Sequence, residues 1–262
     1  MKSTITTYFR YFTIHLKSCM QYKVSFFLTF LGQFLVSFSV FLGVYFMFLR
    51  FSAVKGFTYS DCLLCYAVIL MSFSLGECFF RGFDLFHRVI ANGEFDRILV
   101  RPRGLIFQVL GSKIEFTRMG RVFQAVVMLI YALMTCRIPW TPYRVLVFVF
   151  MLVGGIVVYS SLFLLRASIC FFTLDGLEVF NILTDGSKEF GRYPVSIYGK
   201  RVLTICTCLI PFALFQYYPL LYLLDYSKEA RYGLLPILAC FFSLPCYLFW
   251  RIGVRHYKST GS

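Results

Sequence analysis

Charge is scarce in this sequence, and acid is scarcest. Of 262 residues, 15% are Asp, Glu, Lys or Arg, and only 12 are acidic against 26 Lys and Arg. With 59% of its residues hydrophobic, 33 phenylalanines and a mean hydropathy of +0.75, the chain cannot stay dissolved. A soluble domain is excluded, and a bilayer is the implied solvent. No Gly-x-x-x-x-Gly-Lys-[Ser/Thr] run occurs; Gly199-Lys200 is followed by Arg201 and lacks the upstream glycine, so the chain cannot cradle nucleotide phosphates. Histidine is rare, with residues 15, 87 and 256 all in basic segments expected to lie at the surface. An intramembrane protease centre built on paired glutamates with His, or on Ser and His, is excluded. Ten cysteines are present, but Cys62 and Cys65 have the spacing of half a zinc site with no second pair, so they read as small apolar residues of a helix bundle. The net charge of +14 forms no groove-reading motif and excludes nucleic acid; it reports orientation in the membrane.

What is abundant is long apolar runs. Residues 1–23 carry Lys2, Arg10, Lys17 and Lys23 without an acid, and Tyr8, Phe9, Phe12, Leu16, Cys19 and Met20 recur at helical spacing. That pattern predicts an interfacial helix on the cytoplasmic side. Spans are predicted at 24–49, 62–80, 116–136, 145–165 and 234–250, each long enough for a core of roughly 30 Å. On the first, Ser25, Thr29, Gln33 and Ser37 with Gly32 and Gly43 form a small, polar packing stripe; Gly154-Gly155 and Ser160-Ser161 mark close contacts on the fourth. Glu77 and Arg81 stand four apart, as an exposed ion pair, and Lys113, Arg118 and Arg121 are placed to snorkel toward headgroups.

The fifth span has two candidates. Ser168, Asp175, Glu178, Asn181, Asp185 and Glu189 fall on one face of a helix over 168–190, which can cross only if that face meets a cavity or the bundle interior. Val202 to Leu224 is more apolar but broken by Pro211, Gln216 and Pro219, as in a re-entrant segment. Either choice gives six crossings in an all-α membrane protein forming one domain, with both termini inside. If 202–224 is the span, twenty of the 26 Lys and Arg lie on the inner side; if 168–190 is, the bias weakens and keeps its sign.

Between the second and third spans lies a charged island, residues 81–104 (RGFDLFHRVIANGEFDRILVRPRG). Two short amphipathic helices, broken at Asn92-Gly93 and stopped at Pro102, carry charges of both signs beside large apolar side chains. A helix of this kind is suited to seat in a groove of another protein, with Phe95 and Leu99 as anchors and Asp96, Arg97 and Arg101 fixing register. Because the chain has no nucleotide loop, its energy must come from that partner. The competing design is a self-sufficient ion- or proton-coupled carrier using Asp175, Glu178 and Asp185.

The run Gly93, Phe95, Asp96, Leu99, Arg101, Pro102 within GEFDRILVRP, together with Tyr193-Pro194, Ile210-Pro211, Tyr217 to Pro219, and the closing Gly253, Arg255, Tyr257, Ser259, Thr260 and Gly261, resembles the six-span permeases of type-2 ATP-binding cassette exporters. The resemblance implies a coupling helix at 81–104, contacted by an ATPase through Gly93, Glu94, Phe95, Asp96, Arg97, Leu99, Arg101 and Pro102. It implies two cytoplasmic ATPase subunits holding ATP and Mg, with no cofactor on this chain, and a second permease, identical or related. It places the fifth span at 168–190, a re-entrant outer segment at 191–232, and Gln33, Asp175, Glu178, Asn181 and Asp185 toward a substrate cavity. The cargo it implies is amphipathic: a lipid, antibiotic, drug or peptide leaving across the cell membrane.

Overall fold

The computed structural model describes residues 2–173 and 178–259. Every element named among them is helical. Helix α1 (Lys2–Gln21) breaks at Tyr22 and leads into α2 (Lys23–Arg50); α3 (Tyr59–Phe79) follows a short loop. The island forms α4 (Arg81–Asp84), α5 (Phe86–Ala91) and α6 (Glu94–Leu99), and α7 (Leu105–Ser112) brings the chain back to the bundle. Then come α8 (Met119–Thr135), entered through a 3₁₀ turn, and α9 (Pro142–Ile169). Among the described residues five helices are long and apolar enough to cross a membrane, Lys23–Arg50, Tyr59–Phe79, Phe116–Thr135, Pro142–Ile169 and Ala230–His256, and a bent pair, Lys200–Cys208 with Phe212–Leu223, makes a sixth if it counts as one span. The chain is a multi-pass membrane protein.

Burial sorts these helices. Helix α3 is the axis: apart from a few positions its residues are buried, chiefly against α8 and α9, and it shows no single apolar face because all of its sides are covered. Helix α2 is the opposite case, with Phe27, Leu28, Leu35, Phe46 and Leu49 all exposed. Its expected packing stripe is only partly used. Ser37 is buried, but a Cβ on Gly32 or Gly43 would meet nothing within 4 Å. The close approach falls elsewhere: a Cβ on Gly120 of α8 would stand 2.0 Å from the Phe30 carbonyl oxygen. On α9 the glycine pair does serve contact, since a Cβ on Gly155 would reach the Ser72 hydroxyl at 2.3 Å and one on Gly154 the Pro236 carbonyl at 2.9 Å.

The bundle has two distinguishable ends. At the island end, α9 finishes with Arg166 bonded to Asp84; at the far end, α9 begins with Arg144 paired to Asp225. Between them the chain rises in pieces. After a turn at residues 170–172 it forms α10 (Val179–Asn181), a π-helical turn (Ile182–Gly186) and α11 (Ser187–Phe190). Asn181 accepts a hydrogen bond from Arg166, whereas the Ile197 carbonyl accepts one from Lys55 at the far end. The straight helix expected over 168–190 is therefore corrected: Ser168 belongs to α9, donating to the Leu164 carbonyl, and the turn and π-helix divide the rest.

From the far end, α12 (Lys200–Cys208) descends, and α13 (Phe212–Phe215) with α14 (Tyr217–Leu223) climbs back to Asp225, the two arms bent by 86°. Pro211 cannot continue the first arm because its nitrogen carries no hydrogen. Helices α15 (Leu235–Cys240) and α16 (Ser243–His256) close the chain, with Pro236 and Pro245 in their first turns, where no amide donor is missed. The histidines are less uniform than expected: His256 is exposed, but His15 Nε2 lies 3.0 Å from the Gly111 carbonyl oxygen and His87 is half-buried.

Candidate functional site: the charged island and its ion lattice

Within the island, α5 and α6 form a hairpin of two short helices. Gly93 makes it possible, because its φ of 68° lies in the left-handed region that a side chain disfavours. Below the turn, aromatic rings tie the hairpin to the last helix. Phe95, 0% exposed, stands edge-on to Phe86 at 5.4 Å, Phe171 at 5.2 Å and Tyr257 at 4.8 Å; Phe86 in turn meets Trp250 at 5.2 Å. Such pairs hold geometry as well as area. The Ser259 hydroxyl donates to Asp96 at 2.7 Å, and burial first, then the Asp96 carboxylate, raises the Tyr257 phenol's pKa.

Two of the expected contact residues have partners within the chain: the Phe95 ring is closed off from solvent, and Asp96, half-buried, accepts from Ser259 of the tail. The outward face is Glu94, Arg97, Leu99, Val100, Arg101 and Pro102, with Leu99 41% and Val100 82% exposed. Gln108 fixes that face by donating to the carbonyls of Ile98, at 3.1 Å, and Arg103, at 2.8 Å.

Directly behind the hairpin lies a lattice of ions that the sequence reveals only in part. Glu77, 4% exposed, faces Arg121 at 2.5 Å, Arg118 at 3.4 Å and Arg81 at 3.8 Å. Arg81 also meets Asp84 and, at 2.8 Å, Glu115; Arg166 reaches Asp84 at 2.5 Å and Asn181 at 2.8 Å. Gln33 accepts from Arg121 at 2.8 Å and Arg118 at 3.4 Å. The expected Glu77–Arg81 pair forms but is largely buried rather than exposed, and Arg118 and Arg121 turn inward to Glu77 rather than toward headgroups. In a low-dielectric bundle none of these three carboxylates and four guanidiniums could be left unpaired without a large cost, and here each has an opposite charge beside it. The i,i+3 and i,i+4 spacings of Glu77, Arg81, Asp84, Glu115 and Arg118 were visible, but the links to Arg121, Arg166 and Gln33 are long-range. The lattice joins α2, α3, the island, α8, α9 and the segment holding Asn181.

The cavity candidates do not converge. Gln33 and Asn181 are members of the lattice, Asp185 pairs with Lys188 at 3.2 Å, and Glu189 pairs with Lys188 and Arg192. Lys188 also lies over the Phe73 ring, 4.8 Å from its centre. Glu178 is exposed, and Asp175 lies outside the described residues. A separate cavity of about 450 Å³ opens between α2 and α8, walled by Phe34, Phe38, Phe41, Tyr45, Tyr131 and Gln124.

A family model described as ABC-2 family transporter protein matches residues 34–261, which takes in the island, the lattice and the re-entering arms. The chain belongs to the ABC-2 transporter family. No curated protein matches it, and no solved structure does. Membership implies a permease of an ABC transporter: the family is a membrane transport component rather than the catalytic one, and it implies association with an ABC ATPase.

Proposed function

We propose that this permease is the transmembrane part of an ATP-driven exporter, with the island end in the cytoplasm and a separate ATPase seated on the hairpin. The observation that carries the reading is the division of α5 and α6 into two faces. One is locked to α16 and the tail by Phe86, Phe95, Trp250 and Tyr257; the other presents Glu94, Arg97, Leu99, Val100 and Arg101. A stroke on the outer face moves the inner one as a rigid body, and the lattice passes it to α3, α8 and α9. ATP and Mg belong to the ATPase subunits.

In this reading the pieces from 178 to 198 make the fifth crossing, α12 to α14 form a re-entrant outer segment, and both termini lie in the cytoplasm. The clustered Lys and Arg of the early loops support that orientation. A second permease, identical or related, completes the pathway, with Glu178 and Asp185 facing the shared cavity. The aromatic cavity between α2 and α8 supports an amphipathic cargo. Purification in mild detergent tests this: an ATPase should co-isolate in about equal amount, and Arg101→Glu should lower cargo-stimulated ATP turnover about tenfold while the permease still inserts. Proton-coupled flux from the permease alone, with no ATPase bound, would replace the reading with a secondary carrier.

A further inference from the structure

A second cavity, of about 340 Å³, lies where α16 passes the start of α7. Its floor is apolar, formed by Leu105, Ile106, Tyr247, Trp250 and Val254, and its rim carries Arg251 and Arg255. These arginines are four residues apart on α16 and so share one face. The contrast with the lattice is sharp: Arg81, Arg118, Arg121 and Arg166 all have carboxylate partners, whereas among the described residues Arg251 and Arg255 have none and no residue lining the cavity is acidic. Away from the rim, α16 continues as exposed Leu244, Tyr247, Leu248 and Ile252.

We propose that this cavity binds an anionic phospholipid, its phosphate on Arg251 and Arg255 and its acyl chains along Tyr247 and the apolar strip of α16. Charge complementarity selects the head group, and the strip selects a lipid over a soluble anion, which would use the rim alone. An acidic face of a protein partner would leave the apolar floor uncovered. The bound lipid ties α16 to the strand of chain returning from the hairpin, so the membrane's anionic lipid content sets how firmly the hairpin's inner face is held.

The site contains its own reporter. The chain has two tryptophans, and in a Trp140→Phe background Trp250, in the cavity wall, is the sole tryptophan and can be excited apart from the tyrosines. Full-length permease without ATPase is reconstituted in phosphatidylcholine and titrated with phosphatidylglycerol or phosphatidylcholine bearing brominated chains, which quench on contact. Phosphatidylglycerol should quench at lower mole fraction. That preference should fall about fivefold in Arg251→Gln or Arg255→Gln and survive largely in Arg255→Lys, while inorganic phosphate does not compete. Both arginines are exposed, and an unchanged melting temperature in pure phosphatidylcholine shows that the variants are folded. Equal quenching by the two lipids, or a preference indifferent to both substitutions, overturns the site. Displacement by phosphate makes it a soluble-anion site, and loss of ATPase co-isolation with quenching unchanged assigns the arginines to the ATPase; either result also overturns it.

Discussion

Glu77 sits under three arginines, and its value to the molecule depends on all of them remaining. A buried ion pair contributes little against an apolar substitute of the same shape, but removing one partner strands the others without counter-charge. Glu77→Gln should therefore cost about 3–5 kcal/mol, read as a fall in melting temperature of the detergent-solubilised permease. Adding Arg121→Met to it should recover part of the loss; a double variant as unstable as the sum of the singles would show that the two do not interact. Gly120 makes a different kind of demand. Because a Cβ there would stand 2.0 Å from a backbone oxygen of α2, Gly120→Ala must push the two helices apart, at about 1–3 kcal/mol, whereas Gly32→Ala should be silent in the same melt.

At the scale of elements, the hairpin separates holding from contacting. Phe95→Ala empties a closed aromatic pocket and should destabilise the permease by about 3–5 kcal/mol. Leu99→Ala, on the exposed face, should change stability by less than about 0.5 kcal/mol and still weaken ATPase stimulation. If both variants melt normally, or both melt early, the two-faced hairpin is wrong. The hairpin itself was legible, since Asn92-Gly93 and Pro102 punctuate it and charges alternate with large apolar residues. Which apolar residues face inward was not, because Phe95 finds its partners 76 and 162 residues further on, in Phe171 and Tyr257. Long apolar helices were equally plain. The division of 168–190 was not, since an acidic stripe at helical spacing reads the same whether the backbone is continuous or interrupted by a turn and a π-helix.

For the whole molecule, the lattice explains how few charges suffice. Most of the acidic residues described are spent on internal pairs, at the island end through Glu77, Asp84 and Glu115 and at the far end through Asp225 with Arg144. Composition announced a membrane protein and basic loops announced an orientation, but neither can say that an inward-pointing guanidinium differs from a snorkelling one. That difference is a property of the assembled bundle. Through the same cluster of ions α2, α3, α8 and α9 meet the island.

The central claim is that a nucleotide-hydrolysing subunit pushes on the exposed face of the hairpin. A photo-crosslinking residue at Val100, 82% exposed, tests it in intact cells beside the same residue at Trp140, 44% exposed at the far end. The account predicts that Val100 captures the ATPase subunit and Trp140 does not; capture from Trp140 alone would place the engine at the wrong end of the bundle and contradict it.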